Sequence, residues 1–77
     1  MSAFTSRSYS HVFVVSLHVN GRETFCRAFY GDDATAGCVQ SLMLRGQDFP
    51  NEIWDVRVSR VPKAAWHGDI HSGWVEG

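Results

Sequence analysis

The chain has 77 residues and a mass of 8.6 kDa. A domain of this size buries only about 60% of the surface its extended chain exposes, so one small core is all it can build. Hydrophobic residues make up 44% and charged residues 19%, which excludes a predominantly disordered chain. Seven Lys+Arg against eight Asp+Glu give a formal charge of -1. That balance excludes both a strongly cationic nucleic-acid binder and an acidic mimic of duplex DNA, leaving only local charge for recognition.

The longest apolar stretch, Val12 to Leu17, is far shorter than the roughly twenty residues a spanning helix needs. It is also too short and too strand-like for a secretory signal. The expected location is therefore the cytoplasm, with no membrane contact. Cys26 and Cys38 fall far below the density of disulfide-stapled domains. They are read as reduced thiols, both facing the core as small hydrophobes.

Residues 1–8 are rich in Ser and Thr without a period and are expected to form a flexible tail ahead of a single domain at 9–77. From Tyr9 a two-residue alternation sets in. Tyr9, His11, Phe13, Val15, Leu17 and Val19 line one side, and Ser10, Val12, Val14, Ser16 and His18 the other. Asn20-Gly21 then supplies the positive φ angles of a type I′ turn. A plain two-residue hairpin opposes Leu17 to Thr24, Val15 to Cys26 and Phe13 to Ala28. In that register Phe13, Val15, Leu17, Cys26 and Ala28 are core. The opposite face carries Val12, Val14, His18, Glu23, Phe25, Arg27 and Phe29, which is unusually apolar for a wetted side.

Asp32 and Asp33 are expected to cap a helix beginning at Ala34, and their charge suits the positive end of its dipole. Up to Arg45, the residues Ala36, Cys38, Val39, Leu42 and Met43 share one arc, which should lie on the sheet. Gly46 is placed to supply a left-handed cap. Gly37 weakens the helix by about 1 kcal/mol relative to Ala, so it depends on the sheet beneath it. After a connector at 47–51, Ile53 to Ser59 alternates again, with Trp54, Val56 and Val58 inward and Asp55, Arg57 and Ser59 outward. Pro62 and Lys63 close this strand. The remainder reads as a second hairpin turning at Gly68-Asp69, with a last strand near 70–75. The expected fold is α+β: an antiparallel sheet of three or four strands in ββαββ order, with one helix on one face.

His67, Asp69 and His71 would project together from a strand as zinc ligands do, but the same Gly68-Asp69 pair wants a turn, which separates them. Thiols facing a core make poor nucleophiles, no glycine-rich phosphate loop is present, and paired Asp32-Asp33 serves more simply as a cap than as an acid and base. No catalytic residue, metal or cofactor is assigned. His11 is read as a partly buried residue at the sheet rim. The second sheet face remains, where Phe25, Arg27 and Phe29 alternate on one strand, His18 pairs with Glu23, and Arg57 and Arg60 adjoin. Exposed aromatic and Arg side chains serve protein hot spots and also stack single-stranded bases. The competing account is a second small core, with Trp66 and Trp74 folded over this face. Arg7, Arg57, Arg60 and Lys63 could form a basic edge, although parity puts Arg60 with the inward residues.

The order of hairpin, Asp-led helix and further strands resembles small phage and mobile-element accessory proteins of the anti-CRISPR type. The residues that carry the likeness are Phe25 through Ala28 running into Asp32-Asp33-Ala34-Thr35-Ala36, followed by Ile53 to Val58, across residues 9 to 61. The resemblance implies a non-enzymatic protein that docks on a CRISPR effector complex and blocks it sterically. It transfers no functional residue. Phe25, Arg27, Phe29, His18, Arg57 and Arg60 are the expected partner-binding residues, on a monomer or a homodimer. The alternative function is a single-stranded nucleic-acid-binding module using the same aromatic/Arg face.

Overall fold

A computed structural model describes residues 10–73. The expected tail at 1–8, Tyr9, and the final residues that include Trp74 lie outside the described segment. Strands β1 (His11–Val19) and β2 (Arg22–Phe29) lead to helix α1 (Asp32–Gly46), followed by β3 (Trp54–Pro62) and a two-residue β4 (Ile70–His71). The fold is α+β, with one helix and a four-stranded sheet in the order β3-β1-β2-β4 among the described residues. Strand β1 pairs antiparallel with β2 on one side and with β3 on the other, whereas β4 runs parallel to β2, so the sheet is mixed rather than wholly antiparallel.

Asn20 and Gly21 turn the chain with φ of 53° and 84°, as a type I′ hairpin requires. Val19 faces Arg22 and His18 faces Glu23, but the next pair is Leu17 with Phe25. Thr24 is passed over as an extra residue, which is the geometry of a β-bulge. Beyond it Ser16 meets Cys26, Val15 meets Arg27, Val14 meets Ala28 and Phe13 meets Phe29. Because side chains alternate strictly, this one-residue slip moves the rest of β2 to the other face.

The consequence corrects the expected faces. Phe29 is fully buried and belongs with Val15, Leu17, Ala34, Cys38 and Leu42 in the core beneath α1, and Phe25 packs against the same cluster. Arg27 shares that side, with its guanidinium 5.2 Å from the Phe25 ring. Cys26 and Ala28, expected there, lie on the opposite face. Cys26 is exposed, while Ala28 joins Val12 and Val14 in a second core.

That second core is closed by the chain after β3. A single 3-10 turn at Lys63–Ala65 is followed by Trp66 and Ile70, both packed on Val12, Val14 and Ala28. The Trp66 indole N–H donates to the Asp69 carbonyl at 3.0 Å. The expected second hairpin does not form. Instead the chain crosses the helix-free face to the far edge, where Ala28 pairs with Ile70 and the Tyr30 amide donates to the His71 carbonyl at 3.1 Å. Crossing the sheet half-buries the Trp66 indole against Val12, Val14 and Ala28.

The helix begins two residues earlier than expected. Gly31 is its extended N-cap, and the Thr35 amide and hydroxyl both donate to the Gly31 carbonyl, at 3.2 and 2.8 Å. Asp32 and Asp33 lie in the first turn rather than capping it, where their charges still suit the dipole. Gly46 ends the helix without a left-handed φ. Its role is close approach, since a Cβ there would meet the Trp54 ring at 3.1 Å.

The buried residues of α1 are Ala34, Thr35, Cys38, Ser41 and Leu42, so the helix is rolled by roughly a quarter turn from the expected arc at 100° per residue. Small side chains on this stripe let the helix sit close over β1, with contacts to β2 and β3 on either side. The other stripe, with Ala36, Val39 and Met43, is turned toward β3 and left largely open. Phe29→Ala should therefore cost about 3–5 kcal/mol of stability, measurable by urea denaturation. A change below about 1 kcal/mol would contradict its central place in the core.

Candidate interaction surface

The six residues expected to form one docking face are divided between two. Phe25, Arg27 and Phe29 are on the helix side, and Phe29 has no exposed surface to offer. This removes the aromatic stacking platform, because the bulge at Thr24 turns those rings beneath α1.

His18 and Arg57 are on the helix-free face. The His18 ring lies 3.8 Å from the Glu23 carboxylate, and Asp55 is its partner position on β3. Arg57 donates to Asp55 at 2.7 Å, with both side chains well exposed. Arg60 stands opposite Phe13 on the helix side, as its parity required. There it lines a cleft of about 390 Å³ with Ser10, His11, Tyr30, Gly31 and Asp32. The cleft brings an arginine and a histidine beside an aspartate, so its charges oppose one another rather than converge on one kind of ligand.

Among the described residues no group of three or more His, Cys, Asp or Glu side chains is arranged to hold a metal ion. His67 and Asp69 are exposed, while His71 is half-buried with its ring 6.0 Å from that of Phe29. Both cysteines are free thiols. Burial pushes the Cys38 thiol up to about 11, against a small opposing effect of Arg27. Cys26 is also raised, first by partial burial and then by the Glu23 carboxylate. Each is held in the protonated form, which is a weak nucleophile at neutral pH.

The exposed apolar side chains concentrate elsewhere. Met43 is 61% exposed, Leu44 57%, Phe49 45%, Ile53 74% and Val58 48%. All five fall between residues 43 and 58, in the last turn of α1, the connector and β3. Phe49 stacks on Trp54 with ring centroids 5.4 Å apart and planes 9° from parallel. The connector is held to the hairpin tip, where the Asn20 amide donates to the Ile53 carbonyl at 2.8 Å and the Ile53 amide donates to Asn20 Oδ1 at 2.9 Å. Between α1 and β3 runs a mainly apolar groove of about 420 Å³, lined by Phe13, Ala36, Val39, Met43 and Val58 with Asp32, Thr35 and Gln40 of the helix beside them. The helix covers the Trp54–Val56 end of β3 and leaves Val58 beyond it uncovered.

The sequence reading missed this surface because it assigned Ala36, Met43 and Val58 to the core. A usable signal was present in the spacing Ala34, Cys38, Ser41 and Leu42, a seam of mostly small residues suited to close helix–sheet contact. Apolar content favoured the neighbouring stripe. No family model matches the chain, and no curated protein and no solved structure resembles it at a significant level.

The raised Cys38 thiol has a consequence for stability. The unfolded thiol ionises near its ordinary value of 9.0, whereas the folded one resists until about 11. The unfolded state therefore binds fewer protons across this interval. Stability contributed by the buried thiol is complete below pH 9 and is lost as pH rises toward 11. Denaturant midpoints should fall over that range, and Cys38→Ala should flatten the fall. An unchanged slope in the variant would show that Cys38 does not carry it.

Proposed function

We propose that this chain is a small non-catalytic binding protein that acts by occupying a surface of a protein partner. Its mode is the steric blocking of a host CRISPR effector complex expected of the anti-CRISPR type that its layout resembles. The observation that carries the binding reading is that, among the described residues, the widely exposed large apolar side chains all fall in the segment 43–58. Met43 and Val58 line one apolar groove, and exposed apolar side chains grouped in this way are a common feature of protein contacts. The thiols held protonated and the cleft of opposed charges support binding rather than catalysis.

A protein contact is favoured over single-stranded nucleic acid because the latter reading drew on Phe25 and Phe29 as stacking surfaces, and those rings pack into the core. The exposed apolar side chains of this segment are aliphatic apart from Phe49, and its cations are Arg45 and Arg57. The cell compartment implied is the cytoplasm, where an effector complex would be met.

Leu44→Lys together with Ile53→Lys provides the test, because both side chains point largely into solvent and such changes usually cost less than about 0.5 kcal/mol each. In a target-cleavage assay with purified CRISPR effector complexes, the wild-type chain should inhibit at least one effector. The double variant should lose that inhibition while melting at the same temperature. Wild-type chain that inhibits none of the effectors, or a variant that inhibits equally, would contradict the proposal.

A further inference from the structure

We infer that a second copy of this chain occupies the β3 edge and the groove beside it, forming a two-fold dimer centred on Val56. The inference rests on reading the 43–58 segment as a protein contact surface, and it identifies one occupant for part of that surface. Leu44, Phe49 and Ile53 remain toward the ends of the assembly for another partner.

The backbone supplies the first step. Lys63 donates its amide to the Ser10 carbonyl at 2.9 Å, and the Asn20 amide donates to the Ile53 carbonyl at 2.8 Å. Residues Ile53 and Lys63 thus point their backbone groups toward β1, and antiparallel ladders alternate. The odd positions of β3 bond to β1, so the even positions Trp54, Val56, Val58 and Arg60 aim N–H and C=O at the side of the sheet where no described strand pairs. Proline is absent from the strand until Pro62. Such an edge, long and without a proline, is a template for another strand.

Side-chain charge then selects the register. In a two-fold antiparallel pairing, residues directly opposite must share a face. Centring on Val56 places it against Val56 of the second copy and Trp54 against Val58. Each of these outward-pointing pairs exchanges both main-chain hydrogen bonds. Asp55 then lies opposite Arg57 of the second copy, and Arg57 opposite its Asp55, in the closer non-hydrogen-bonded positions. The same register carries Glu52 toward Arg60. Centring on Arg57 would oppose the two arginines, which is destabilising. Centring on Val58 would leave Asp55 facing Val61 and Arg57 facing Ser59. The Val56 register alone among these pairs every charge of β3 with its opposite.

The groove follows from the same symmetry. A two-fold axis perpendicular to the sheet keeps both helices on one side. Three strand spacings separate β1 from its mate, about 14 Å at 4.8 Å each, and a helix with side chains is about 10–12 Å across. The two α1 helices would therefore lie side by side. Met43, Val39, Ala36 and Val58 of each copy would close on those of the other, covering side chains that the single chain leaves wet.

Sedimentation equilibrium at micromolar concentrations tests this with charge exchange. The wild-type chain should be a dimer. Asp55→Arg puts arginine against arginine, and Arg57→Asp puts aspartate against aspartate, so each should weaken self-association roughly tenfold or more. Mixing the two variants should restore the dimer, because every arginine in the mixed pair then faces an aspartate. Mixing cannot repair the intrachain Asp55–Arg57 bond, so recovery reports on the contact between copies. Both residues are exposed, and circular dichroism should remain unchanged. A wild-type chain that stays monomeric would overturn the inference and leave the effector assay to judge the surface by itself. A dimer indifferent to either change, or variants that do not recombine, would also overturn it.

Discussion

The structure depends on one local constraint: Thr24 is an extra residue with no place in the β1–β2 register, although its hydroxyl donates to the Leu17 carbonyl. A bulge costs a break in the ladder, yet here it turns Phe25, Arg27 and Phe29 onto the side where Val15 and Leu17 already lie. Without it the largest side chain of the core, Phe29, would point to the opposite face. With it the hairpin becomes a two-sided sheet whose heavy face is roofed by α1 and whose lighter face, Val12, Val14 and Ala28, is small enough for Trp66 and Ile70 to seal. Both cores of a short chain are therefore set by where one extra residue is inserted.

Helix placement follows from that choice. With Phe29 beneath it, α1 settles over β1 on its stripe of Ala34, Cys38, Ser41 and Leu42, reaching β2 on one side and the Trp54 end of β3 on the other. That position leaves β3 as a long edge with Val58 and the Met43 side of the helix unroofed. An open edge and an adjoining apolar groove are costly in isolation and informative together. They are the two halves of one surface, with backbone donors and acceptors along its rim and apolar side chains behind it. The alternation of Asp55 and Arg57 gives that surface a self-complementary charge pattern.

Much of the chain was legible in its residues. Asn20-Gly21 has one good conformational use between two alternating runs, and it makes the expected turn. Trp54, Val56 and Val58 read as the inward side of a strand, and parity correctly separated them from Asp55, Arg57 and Ser59. What alternation cannot reveal is a change of phase. Residues 22–29 carry apolar side chains at both parities, Phe25 and Phe29 against Cys26 and Ala28, so either face could be buried. Aromatic size, rather than continuity of register, decided it. The same degeneracy affected α1, where two neighbouring stripes each satisfy helical spacing. Close packing selected the smaller side chains over the more hydrophobic ones. The path of residues 63–71 was illegible for a different reason, since a parallel pairing of two residues leaves almost no local pattern.

The bulge can be observed without perturbing the chain. Even residues of β1 bond to β3, as Ser10 and Asn20 demonstrate, so on the β2 side they occupy the positions where opposing Cα protons nearly touch. Nuclear Overhauser spectra should give strong Cα–H to Cα–H contacts between Ser16 and Cys26 and between Val14 and Ala28. Strong contacts of Ser16 with Phe25 and of Val14 with Arg27 would mean an unbroken hairpin, with Phe29 turned away from the helix, and would contradict the account.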